Sequence, residues 1–486
     1  MTLVNWIPTL AMTALFLSSL VTFSNPISAY VHAMLAFVTT SSIAALASIF
    51  AGTSVVIPVL LTLSMAALLA SILHARSMVV LVSFRNLAYT ALFVTVVVAS
   101  QVLSRIFGLS SIGFTDGHEV LLFAEALQLG EESPLSGVRA LKRGFGLPAM
   151  EALGFEGEYF VGLIPLFFLG AILATIWLVS ELTENRSQLV AVSIVFILLT
   201  ISTESVTRHV YLINTHSLAW MLTAVLLVYM RRQTLGALSR QDVTGLIVAF
   251  ASIGFLRMDY IFLFGAFTLF FVLTNGSGRS ALAIGVVFAQ GLTAAAWTSI
   301  AVDEFPFLGA VGPVVLLAVG GSGTFLLVGG LRRLKQQGPN FTRNWLYVLA
   351  ALFALTNLLT LDIASGIRAL AFNLFAGEGL WGYSAVAIIV LVGVSYLTPS
   401  TLDRNLLGQV LAVGLLTIVL YLFAKYLDGV QLGAGRPSFA RIGWGDSLNR
   451  TLVTWLPFLV FPLTRLVGIM ESKGTSKASR PVVKKR

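Results

Sequence analysis

The sequence predicts an all-α polytopic membrane protein of about fifteen transmembrane helices, and three observations carry that expectation. Hydrophobic residues make up 57% of the 486 positions and charged residues only 10%, too little polar surface for a water-soluble globule of this size. The mean hydropathy is strongly positive. Apolar runs of roughly 20 residues, the length that crosses a hydrocarbon core of about 30 Å, recur almost from end to end and leave no segment for a soluble domain.

Composition also narrows the chemistry. The chain has no cysteine, which excludes disulfides and thiolate catalysis, and its five histidines form neither an HExxH pattern nor another zinc spacing. The net charge of +9 is spread over short loops and the C-terminal tail, a pattern of membrane topology rather than of nucleic-acid binding. The first charged residue is Arg76, so the N-terminus lacks the basic region of a signal peptide and reads as a retained first span.

Taken in order, spans are expected at 4–23, 28–50, 54–74 and 86–107, the first three joined by turns such as Ser24-Asn-Pro26 and Ala51-Gly-Thr53. A long loop, 108–157, follows, and then spans at 158–182, 187–203 and 210–230. Later spans are expected at 281–302, 309–330, 345–365, 382–398, 406–427 and 451–470. The tail 471–486, rich in Lys, Ser and Arg, reads as a basic cytoplasmic end attracted to anionic lipid.

The run from Thr244 to Thr274 would measure about 45 Å as one helix, too long for a single crossing. Arg257-Met-Asp259 interrupts it, so a hairpin with Arg257 at its tip is expected. Only with this double crossing do Arg76/Arg85, Arg231/Arg232/Arg240, Arg332/Arg333/Lys335/Arg343 and the basic tail all fall on the cytoplasmic side. The N-terminus is then outside, and so are loop 108–157, the turn Glu204–His209, Arg257, loop 366–381 and loop 428–450.

The outer loops hold the unusual chemistry. In the first, Asp116 precedes Gly117 and a mixed-face helix, Val120–Leu129, expected along the membrane surface. Asp116 with Glu119 fits a capping box, but an acid at this place also suits a general base for an acceptor hydroxyl near a donor phosphate. Arg208, Arg257 and Arg450 are candidate cations for that phosphate, since the guanidinium fork suits bidentate contacts. The competing reading is that each pairs locally, Arg257 with Asp259 for instance. His118, Glu119, Lys142, Arg143, His209, His216 and Asp259 complete the candidate substrate-binding set. For Lys142 and Arg143 the alternative is a headgroup anchor, and for His216 a packed, hydrogen-bonded histidine.

In this order the segments resemble the membrane glycosyltransferases of the type C superfamily, in the branch of dolichyl-phosphate-mannose-like and lipopolysaccharide-sugar transferases. The likeness runs over residues 86–470. It is carried by Thr115-Asp-Gly-His-Glu-Val-Leu-Leu-Phe-Ala-Glu-Ala-Leu127 and Gly144-Phe-Gly-Leu-Pro-Ala-Met-Glu-Ala-Leu153 in the first loop, and by Arg208-His-Val-Tyr-Leu-Ile-Asn-Thr-His216. The glycine-rich run Gly245 to Asp259 and Gly445-Asp-Ser-Leu-Asn-Arg450 complete it. The resemblance implies an extracytoplasmic first catalytic loop and inverting transfer of a sugar from a polyprenyl-phosphate donor to a glycan, lipid or protein acceptor. It implies Asp116 as base, and Arg257 and Arg450 at the donor phosphate. It also leaves a divalent cation, Mg or Mn, as a candidate cofactor. Residues 1–85 stand outside it as a three-helix extension, and the compact loops point to a prokaryotic plasma (inner) membrane.

Two other classes fit such a chain. A secondary transporter or flippase would place coupling charges near the midplane, and Asp362, read within a span, is the residue that best serves it. A polysaccharide polymerase or ligase would share the outer arginines, but its large loop falls late, whereas the longest outer loop here is the first.

Overall fold

The computed structural model describes residues 6–23, 25–75, 83–107, 115–129, 131, 146–153, 162–212, 214–274, 339–397, 404–431 and 435–468. These form helices without any strand. By length and composition, seven of the helices can cross a membrane, or nine if each of two bent pairs counts as one span. The expected spans 281–302 and 309–330, the tail 471–486, Lys142 and Arg143 lie outside the described residues.

The first four helices follow the apolar runs: α1 Trp6–Phe23, α2 Pro26–Ala51, α3 Val56–Ala75 and α4 Phe84–Phe107. Asn25 starts α2 by accepting from the Ile27 amide at 2.9 Å, with Pro26 as first residue, and Gly52 ends it at φ 59°. The first loop holds α5, Thr115–Leu129, and α6, Gly146–Glu151. Helix α5 begins one residue before Asp116, so Asp116 stands inside its first turn and not at the cap.

Helices α7, Leu163–Leu182, α8, Arg186–Ile201, and the short α9, Glu204–Thr207, come next. The segment Glu204–Val210, which ends in a 3-10 turn, leaves the α8 axis at 83°. Helix α10, His216–Thr234, is the centre of the bundle: every residue from His216 to Met230 is buried. Its Trp220 sits between Phe168 and Phe196, with ring centroids at 5.6 and 5.9 Å, and donates its indole N–H to Thr175 Oγ1 at 2.9 Å. A helix enclosed on all sides has no face to divide into polar and apolar.

The run after α10 breaks as α11, Arg240–Leu256, α12, Met258–Leu263, and α13, Gly265–Thr274. Ser239 and Asp242 form a capping box at the start of α11. Arg232 bonds both Asp242 and Glu181, and Gln233 donates to the Thr274 carbonyl at 3.0 Å. The start of α11 and the end of α13 therefore meet the same end of α10, and Arg257 lies at the turn between them.

The last described elements are α14, Pro339–Thr360, α15, Ile363–Phe375, α16, Tyr383–Leu397, α17, Arg404–Gln431, and α18, Ser447–Thr451, which continues through a 3-10 stretch to Gly468. Two expectations change here. The segment 366–381 is not all loop, because α15 crosses it at 101° to α14. Asp362 does not lie in a continuous helix: it stands at the bend between α14 and α15 as the N-cap of α15, accepting from the Ser365 amide at 3.1 Å.

One apolar core runs through the bundle and includes Met34, Phe37 and Val38 of α2 beside residues of α7, α10, α11 and α17. A second, smaller core binds the first loop to it. Phe123, Ala124 and Leu127 of α5 and Ala149 of α6 pack with Ala45 of α2 and Phe255 near the end of α11.

Candidate functional site

Six of the residues singled out from sequence converge at one end of the bundle. The frame is built by Trp444, which precedes α18. Arg208 lies over its ring at 5.3 Å, Arg450 at 5.9 Å and His209 beside it at 5.8 Å. Such contacts hold a guanidinium in place through the ring quadrupole. His216, the first residue of α10, meets His209 edge to face at 5.2 Å. Arg450, Arg257 and Lys425 all lie close enough to His216 to interact with it electrostatically.

Asn214 fixes the protonation of His209. Its Oδ1 faces both the His216 backbone amide at 2.9 Å and His209 Nδ1 at 3.1 Å, while its Nδ2 donates to the Leu212 carbonyl at 2.9 Å. A backbone N–H can only donate, so the shared atom is the oxygen and His209 Nδ1 must carry the proton. Nε2 then bears the lone pair. It is buried with no hydrogen-bond partner among the described residues. Burial, helped by the nearby Arg450 charge and opposed by Asn214, pushes the His209 pKa down to about 3, so the ring is neutral at physiological pH.

Arg257 is held at the break between α11 and α12. Its Nε and Nη2 donate to the two carboxylate oxygens of Asp259 at 2.9 Å each, and its guanidinium lies 5.4 Å from the Tyr260 ring. The local pair anticipated as the competing reading is therefore present. Of the five N–H groups of an arginine, those on Nη1 stay outside that pair. Arg208 is likewise bonded to Glu204, at 2.8 Å.

Tyr260 donates or accepts at Thr215 Oγ1 (2.9 Å) and approaches His216 Nδ1 at 3.3 Å. From α17, Tyr421 bonds Thr451 at 2.9 Å and carries Lys425 over its ring at 5.2 Å. Asn449, fully buried, ties this end together by accepting from Trp381 Nε1 at 2.7 Å and donating to the Gly379 carbonyl at 3.1 Å. Asp446 caps α18 through the Asn449 amide, and burial raises its pKa against the pull of those bonds and of Lys425 and Arg450.

The first loop reaches the edge of this cluster through α6. A Cβ on Gly146 would lie 3.2 Å from the Phe255 carbonyl and 3.3 Å from Leu256, so α6 and the end of α11 pack backbone close to backbone at this glycine. Two residues of chain, at most about 7 Å, separate Phe255 from Arg257. Glu151 at the end of α6 is buried, which pushes its carboxyl pKa up to about 8. His118 is exposed and Glu119 buried on α5, which packs on α2 and α6. Asp116 belongs to α5, but its side chain is outside the described residues.

No three His, Asp or Glu side chains among the described residues form a group that would hold a metal ion. Glu204 and Asp259 are each taken by an arginine, and Asp446 by a helix cap. These residues do not fit a divalent cation site.

Trp444, Asn449, Tyr260, Tyr421 and Asn214 were not singled out from sequence. Only Trp444, between two glycines in an outer loop, carried a visible signal.

No family model, curated protein or solved structure matches this chain.

Proposed function

We propose that the chain is an integral membrane glycosyltransferase of the type C kind, which moves a sugar from a polyprenyl-phosphate donor to an extracytoplasmic glycan, lipid or protein acceptor. The observation that supports this reading is the gathering of Arg208, Arg257 and Arg450 around two buried histidines at one end of the bundle, with the first-loop helix α6 packed beside it. A phosphate-bearing donor needs cations of this kind at a wall it can reach.

The step runs by inversion. Asp116 takes the proton of the acceptor hydroxyl, the hydroxyl oxygen forms a bond to the anomeric carbon, and the bond from that carbon to the donor phosphate oxygen breaks. The phosphate leaves with one more negative charge than it brought. Arg450 and the remaining N–H groups of Arg257 and Arg208 answer that charge as it develops, which is where binding lowers a barrier. His209 Nε2, an acceptor with no proton, receives a hydroxyl from the acceptor or the sugar.

In the proposed orientation the cluster faces the outside of a prokaryotic plasma membrane and the basic tail faces the cytoplasm. Asp362, the residue that best serves the transporter reading, caps α15 at the bend after α14.

The test is glycosyl transfer in membranes supplied with a panel of radiolabelled polyprenyl-phosphate sugars. Wild type is expected to transfer from at least one donor. Asp116→Asn and Arg450→Gln, at matched expression and unchanged melting temperature, are expected to lose about a hundredfold, the effect of removing one transition-state partner. No transfer by wild type from any donor, or full activity in both variants, overturns the proposal.

A further inference from the structure

A second site of a different kind lies between α16, α17 and the C-terminal helix. There a crevice of about 410 Å³ is lined almost entirely by apolar side chains, with Gly408 and Gly414 on one wall and Phe458 and Pro462 on the other. Its polar features are Arg465, the indole nitrogen of Trp455 and the Ser395 hydroxyl, which donates to the Val392 carbonyl at 2.7 Å. Arg465 Nε and Trp455 Nε1 are both buried with no hydrogen-bond partner among the described residues.

A second cation stands at the Gly408 end. A Cβ on Gly408 would lie 3.0 Å from Arg343 Cδ and 3.5 Å from its Nη1, so the Arg343 side chain runs along the bare backbone of α17. Neither arginine is joined to a carboxylate among the described residues. The neighbouring Gln409 accepts from Thr234 at 2.7 Å, which places this end beside Arg231 and Arg232, away from the His209 cluster.

A buried guanidinium N–H without an acceptor is costly, and an apolar crevice in a membrane protein favours hydrocarbon over water. One molecule meets both demands when it carries a phosphate at the arginine end and a chain along the crevice. We propose that this crevice binds one anionic phospholipid, its phosphodiester on Arg465 with Arg343 alongside and one acyl chain along the Gly408–Gly414 face of α17. The bilayer supplies this lipid. The inference stands independently of the transferase reading, because none of these residues belongs to the His209 cluster.

The test uses the full chain, purified in detergent and stripped of lipid, with bound lipid counted by native mass spectrometry. Phosphatidylglycerol is expected to give one saturable adduct, and phosphatidylcholine, whose own quaternary ammonium offsets its phosphodiester charge beside the arginines, to bind about tenfold more weakly. Arg465→Ala is expected to bring phosphatidylglycerol down to the phosphatidylcholine level, and Arg465→Lys, which keeps the charge and guards against misfolding, to fall between. Gly414→Leu, which fills the crevice, is expected to weaken both lipids. Three results would overturn the proposal: phosphatidylglycerol binding unchanged in Arg465→Ala, displacement of phosphatidylglycerol by inorganic phosphate alone, or displacement by a polyprenyl phosphate that occupies the crevice in its place.

Discussion

Replacing His209 by Gln tests the electrostatics of the cleft, because His209 is buried against Arg450 and neutral where an exposed histidine would titrate. Its pKa stands at about 3 in the folded chain against an ordinary 6.5. The folded value is the lower one, so between these two pH values the unfolded chain binds the extra proton and folding loses stability as the pH falls. Each pH unit below 6.5 costs about 1.4 kcal/mol, hence about 2 kcal/mol at pH 5. Gln is similar in reach, can donate to Asn214 and does not titrate. Thermal unfolding of wild type and His209→Gln in detergent, at pH 8 and pH 5, is the assay. The wild type is expected to lose about 2 kcal/mol more than the variant on acidification, the difference cancelling the other four histidines, which both proteins share. Parallel losses in the two proteins would show that His209 is solvated or charged in the fold and would remove the argument for a bare Nε2 acceptor.

Three further outcomes follow from packing. Arg232→Ala leaves Glu181 and the buried Asp242 facing each other without their shared cation and should destabilise the bundle by about 3 kcal/mol, with Arg232→Lys recovering part of it in the same melting experiment. Asn449→Ala orphans the Trp381 indole and the Gly379 carbonyl, a loss of about 2–4 kcal/mol that would also appear as a red shift of tryptophan emission. Gly162→Ala has no accommodation: φ is 98°, and the new Cβ would lie 2.7 Å from the Gln101 nitrogen. It should lower the yield of monodisperse protein on gel filtration, the α4–α7 contact being backbone against backbone.

Length and charge made most of the described spans legible. The first four apolar runs match their helices within a few residues, because a helix that must span hydrocarbon announces itself by composition. The break at Arg257 was legible for the same reason, since no single crossing holds 31 residues of helix with two charges in the middle. What stayed hidden is tertiary. Asn449 meets Trp381 across 68 positions, and Trp444 draws in Arg208 from more than two hundred residues away; neither pairing has a local pattern. Helix α15 is hidden by a different cause: an aspartate at an N-cap marks a bend at Asp362, but the apolar run continues past it and shows no change of direction.

The two ends of α10 differ in how the charges around that helix balance. At one end Arg231 and Arg232 are met by Glu181 and Asp242, cation for anion, and the network has no charge to spare. At the other, Arg208, Arg257, Arg450 and Lys425 stand near Glu204, Asp259 and Asp446. Burial also makes Asp446 harder to ionise, which tips the sum further to the positive side. Both histidines there are buried beside these cations, and His209 is neutral, so it adds no positive charge and offers an acceptor instead. A phosphate entering this cleft meets more cations than carboxylates among the described residues, in a medium of low dielectric where the attraction is several times what it would be in water. The same phosphate on Arg231 or Arg232 would have to break an existing pair first. The excess of fixed cations over carboxylates among the described residues, more than any one arginine, is what suits the His209 end to the anionic leaving group of the proposed transfer.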